Sequence, residues 1–101
     1  MDKNLNDYVE EVRKMVDEKG FTSDPQRFTD LLCRIHSEVS EAFDAWKKGK
    51  DYTTVGIELT DAFIYIAHLL SIIHPDFEEL YQAKMKQNRE RPYRYNTKRG
   101  G

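Results

Sequence analysis

Leu5, Tyr8, Val9, Val12 and Val16 recur at three- and four-residue intervals near the start of the chain, the spacing that lays side chains along one stripe of an α-helix. The stripe predicts a helix from about Asn4 to Lys19, with Gly20 placed to end it as a left-handed residue. Asp24 followed by Pro25 reads as a helix cap with proline at the first helical position, opening a second helix that lasts to Gly49. Its apolar positions, Phe28, Leu31, Leu32, Ile35, Val39, Ala42, Phe43 and Trp46, keep the same interval and are expected to face the core. Residues 50–53 make a short connection, Thr53 or Thr54 caps a third helix running to His74, and Pro75 stops it. Asp76 caps a fourth helix from Phe77 to about Arg89, with Leu80, Tyr81 and Met85 facing inward. Past Arg91 and Pro92 no helical period continues.

The expected fold is therefore all-α, a single helical domain over residues 1–91 followed by a basic C-terminal tail over 92–101. Short connections favour antiparallel neighbours, so the protomer is expected to be a four-helix bundle. The third helix adds a requirement of its own. Val55, Leu59, Ala62, Ile66, Leu69 and Ile73 make one apolar face, while Ile57, Phe63, Ile64 and Ala67 cover the opposite side. A helix apolar all round must be buried all round, and a four-helix monomer leaves one side of each helix in water. A homodimer or homotetramer with the third helix at its interface is expected.

At 101 residues the chain is one small domain, which by itself buries only about two-thirds of its unfolded surface and so gains from a partner subunit. The net charge of -2 conceals an asymmetry: residues 1–83 hold nine Lys/Arg against seventeen Asp/Glu, and residues 84–101 hold seven against one. The body is acidic, which argues against a nucleic-acid surface spread over the fold. Cys33 is the single cysteine, so no internal disulfide forms; a small buried residue in a reducing, cytoplasmic compartment is the expectation. The longest apolar-rich stretch, Ala62 to Ile73, is interrupted by His68 and Ser71 and falls short of the ~18 residues of a membrane span, so no membrane association is expected.

Four carboxylates change the picture from architecture to chemistry. Glu38 and Glu41 lie three apart on the shoulder of the second helix's stripe, and Glu58 and Asp61 repeat that spacing on the third. Those last two are the only charged side chains between Ile57 and Ile73, and no Lys or Arg lies between Asp51 and Ala83 to pair with them locally. Carboxylates set into an apolar rod require cations. An all-oxygen donor set without imidazole or thiolate suits Mg²⁺, or Mn²⁺, rather than zinc. Trp46, one to two turns beyond Glu41 and near a helix end, is placed either as core or as a surface on which a base could stack.

The order Glu38-x-x-Glu41, sixteen residues, Glu58-x-x-Asp61 resembles the signature of the MazG-like all-α nucleoside triphosphate pyrophosphohydrolases, related to dimeric dUTPases and dCTP pyrophosphatases. The resemblance covers roughly Phe28 to Tyr93 and extends to Lys84, Asn88, Arg91 and the aromatic Tyr93, which match the family's C-terminal motif. Many members carry one more glutamate where this chain has Ser37. The resemblance implies Mg²⁺-dependent hydrolysis of a nucleoside triphosphate, and of deoxynucleotides in particular, to monophosphate and pyrophosphate. It implies Glu38, Glu41, Glu58 and Asp61 as metal ligands, Glu38 or Glu41 as general base, and Lys84, Asn88, Arg91 and Tyr93 as substrate contacts, to which the position of Trp46 adds a candidate base-stacking surface. The competing expectation is a non-enzymatic helical oligomerisation module whose acids are merely paired.

Overall fold

A computed structural model describes residues 2–21, 23–73 and 75–92. All of its regular structure is helical: α1 spans Leu5–Glu18, α2 Phe28–Lys47, α3 Tyr52–Ile73 and α4 Phe77–Glu90. The Asp24-Pro25 signal opens a single 3-10 turn, Pro25–Arg27, before α2 proper; Asp24 accepts from the Gln26 N–H and caps that turn. The connections after α1 and α2 begin the same way. Gly20 and Gly49 take positive φ, 79° and 76°, and lie one residue past the caps of α1 and α2. Phe21 N–H then donates to Val16 and Lys50 N–H to Ala45, paired bonds that satisfy the last carbonyls of each helix.

The cap of α3 differs from expectation. Asp51, not Thr53 or Thr54, accepts the Thr54 N–H at 2.8 Å, because a carboxylate three residues back reaches the first-turn amide while the threonines are already inside the helix. At the other end α3 reaches Ile73; its expected last residue, His74, lies outside the described residues.

α3 packs against α2 along most of its length and against α1 on a second side. Among the described residues, Val16 of α1, Leu31 and Ala42 of α2, and Ala62, Ala67 and Leu69 of α3 are the buried apolar ones. Arg13 reaches across from α1 to donate to the Ser71 carbonyl at 3.0 Å. α4 packs chiefly on α1, and the two helices cap each other. Asn6 Oδ1 accepts from the Phe77 and Glu78 N–H groups, Asn6 Nδ2 donates to Asp76, and Glu78 accepts the Leu5 N–H.

Several expected core residues are not core in the protomer. Leu80 and Tyr81 of α4 are exposed, since α4 meets the rest of the chain mainly through its first turn. On α2, Leu32, Val39, Phe43 and Trp46 are exposed although they share the stripe of Leu31 and Ala42. Cys33 is exposed as well, lying off that inward stripe. On α3, Ile57, Leu59, Phe63, Ile66 and Ile73 remain uncovered. The physical reason is geometric: α1 and α2 occupy only part of the circumference of a rod that is apolar all round. With its flanks included, α3 is 22 residues and is long and apolar enough to cross a membrane by length and composition.

Candidate metal centre

The two acidic pairs meet because of where they stand relative to one turn. Glu38 lies nine residues before the end of α2 and Asp61 nine residues after the start of α3; Glu41 and Glu58 each lie six from the same turn. At 1.5 Å per residue, antiparallel helices bring Glu38 level with Asp61 about 14 Å from the turn, and Glu41 level with Glu58 about 9 Å from it. The connection length and the sixteen-residue gap are thus what convert two surface spacings into one constellation.

Glu38, Glu58 and Asp61 each offer a carboxylate oxygen, and these atoms all lie within 4.8 Å of one another. Glu38 and Glu58 are half-buried and Asp61 is exposed. Glu41 is exposed and stands outside the tight trio, but its charge acts on Glu58 more strongly than that of Glu38 or Asp61. Glu58 has its pKa raised above the ordinary glutamate value, first by desolvation and then by the charges of Glu41 and Glu38, by a carboxyl contact with Glu41, and by Asp61. Among the described residues the ion pairs join Lys3 to Glu11, Arg13 to Asp17, Arg27 to Asp30 and Lys86 to Glu90, and none involves the four acids. Crowded carboxylates are the donor set a hard divalent ion fits: oxygens only, close together, and deprotonated by the ion itself.

A cavity of about 380 Å³ opens beside Glu38 and Asp61, between α1, α2 and α3. Leu31, Ile64 and Phe21 provide apolar wall, and Arg27 and Arg34 bring two guanidinium groups to it. At its α3 side stands His68, buried, with Nε2 3.2 Å from Ser23 Oγ. Burial, followed by the charges of Arg13 and Arg27 and against the opposing pull of Asp17, lowers the His68 pKa and keeps the ring neutral.

The other expected contacts stand apart from this centre in the protomer. Trp46 stacks on Tyr52 with ring centroids 6.0 Å apart and planes 10° from parallel, at the α2 to α3 turn. Lys84 donates to Gln87 within α4, and the Asn88 carbonyl accepts the Arg91 N–H at the end of that helix. Tyr93 and the rest of the tail lie outside the described residues. The arginines of the cavity were not singled out from sequence, although Arg34 stands four residues before Glu38, on the same helix face. Comparison with protein-family models, with curated proteins and with solved structures finds no match for this chain.

Proposed function

We propose that this chain is a Mg²⁺-dependent nucleoside triphosphate pyrophosphohydrolase, cleaving (deoxy)nucleoside triphosphates to the monophosphate and pyrophosphate. One observation carries the reading: Glu38, Glu58 and Asp61 converge to within 4.8 Å, with no cationic side chain of the described residues paired to them. The motif resemblance supplies the substrate class, and the adjoining cavity falls in the ~300–1,000 Å³ range of small-molecule sites.

In this reading Glu38, Glu58 and Asp61 would hold the ion, and Glu41, beside the trio but not part of it, would accept the proton of the attacking water. The bound ion would lower the pKa of water and offset negative charge on phosphate oxygens. Water oxygen bonds to the α-phosphorus, the bond from that phosphorus to the bridging oxygen breaks, and pyrophosphate leaves with the electron pair. Glu41 is exposed, so its carboxylate returns the proton to solvent between turnovers.

The same reading assembles the protein as a homodimer or a pair of dimers. Leu32, Val39 and Phe43 of α2 and Leu59, Phe63 and Ile66 of α3 leave large apolar side chains exposed along both helices, the kind of surface a partner covers. A lipid bilayer is the poorer cover, because Glu58 and Asp61 lie within the apolar span of α3 and would enter hydrocarbon with it. A second copy also offers a route for Lys84, Asn88 and Arg91 to approach the acids of its partner. A lone thiol at Cys33 is in keeping with a cytoplasmic setting.

The test is incubation with a panel of deoxynucleoside triphosphates and Mg²⁺, with pyrophosphate measured. Turnover abolished in Glu58→Ala is expected. Absence of turnover in the wild type, or equal turnover in the variant, would overturn the proposal. The exposed apolar face also favours a second reading, a helical oligomerisation module without chemistry; it expects association but no stabilisation by Mg²⁺.

A further inference from the structure

Charge is divided unusually around the cavity between α1, α2 and α3. Glu38 and Asp61, part of an acidic cluster that pairs with no cation among the described residues, line it, and so does Arg34, one helical turn before Glu38. Arg34 is exposed, and among the described residues it forms no ion pair, whereas its neighbour Arg27 is held at 3.4 Å by Asp30. Opposite charges four apart on one helix are neighbours on its surface. Here both sets are left facing the same space.

A ligand satisfying both must carry anionic oxygens for the guanidinium and more of them to share a divalent ion with the carboxylates. A polyphosphate chain has that form. We infer that Arg34, flanked by Arg27, is a phosphate-binding residue of this cavity, taking the oxygens of the polyphosphate that the carboxylate-held ion does not reach. The inference rests on the triphosphate reading above and deepens it. It adds a cation from α2 to those expected on α4, because Arg34 is already on the wall that carries Glu38. The planar fork of arginine suits two oxygens of one phosphate, which the point charge of lysine does not reproduce.

The experiment is titration calorimetry of inorganic triphosphate, in Mg²⁺ and in EDTA, against wild type, Arg34→Gln, Arg34→Lys and Lys14→Gln. Melting with Mg²⁺ alone is recorded for each protein. Arg34→Gln should bind triphosphate about 10- to 100-fold more weakly, the loss of a charge-assisted pair. Arg34→Lys should recover part of that loss, Lys14→Gln, an exposed α1 lysine that does not line the cavity, should behave as wild type, and the midpoint gain from Mg²⁺ alone should be the same in all four. Equal triphosphate affinity in wild type and Arg34→Gln in both media, or no binding by wild type, would overturn the assignment of Arg34. A wild-type midpoint indifferent to Mg²⁺ would instead sink the metal centre, and the EDTA titrations would still decide for or against Arg34.

Discussion

Phe43→Ala separates the association of this protein from its folding. In the protomer the ring is 59% exposed, so most of its apolar surface is available to a partner and rather little is already used inside. An aromatic side chain offers ~150–250 Å² on burial, which places roughly 90–150 Å² of Phe43 at stake. At ~25 cal/mol per Å² that is about 2–4 kcal/mol for each copy. A two-fold interface counts every substitution twice, so the dimer should weaken by at least about 4 kcal/mol, some thousandfold in dissociation constant. Coverage of only half the exposed ring would still leave an effect of roughly thirtyfold. Lys47, whose Nζ sits 5.2 Å from the ring centroid, loses its contact too, but at an exposed site that adds well under the interface term. Sedimentation equilibrium from low to high micromolar protein measures the association constant, and far-ultraviolet circular dichroism checks that helix content is kept. A wild type that stays monomeric throughout, or a variant that associates as the wild type does, refutes the apolar-face argument.

Glu58→Gln should change sign with the buffer. In EDTA the variant should melt above wild type, because an amide removes one charge from a crowded trio; in millimolar Mg²⁺ it should melt below, and curves that never cross would contradict a metal centre. Acidification should destabilise the protein through His68. Its folded pKa is lowered, so the unfolded chain takes up the proton first; the contribution is complete above the ordinary histidine value of ~6.5 and is lost as pH falls from there toward the folded value. Melts from pH 8 to 5.5 should show that loss in wild type and a flatter profile in His68→Asn; an unchanged slope assigns it elsewhere. Asn6→Ala should cost about 1–3 kcal/mol by releasing the Phe77 and Glu78 amides together, read as a lower melting midpoint and faster hydrogen exchange at those two positions.

Much of the fold was written in local chemistry. The four helices, the glycines that end α1 and α2, and Asp76 at the head of α4 follow from spacing and capping, interactions between residues a few positions apart. The acidic constellation was legible for a related reason: equal distances from a short turn force Glu38 and Asp61, and Glu41 and Glu58, to the same level on antiparallel helices. Periodicity could say that Leu32, Val39, Phe43 and Leu80 avoid water, but not whether the cover comes from this chain or another, because a hydrophobic stripe carries no address.

Only tertiary packing decided the rest. It gave α4 to α1 through the Asn6 clasp, a contact between residues about seventy apart that no local pattern announces. It also stacked Trp46 on Tyr52, and opened a cavity where Arg34 and Glu38 face a common space without pairing. Short-range geometry is dictated by the covalent chain, which is why sequence alone determines helices and their registers. Which faces meet depends on the competition of all apolar surfaces at once, and that is settled when the helices assemble.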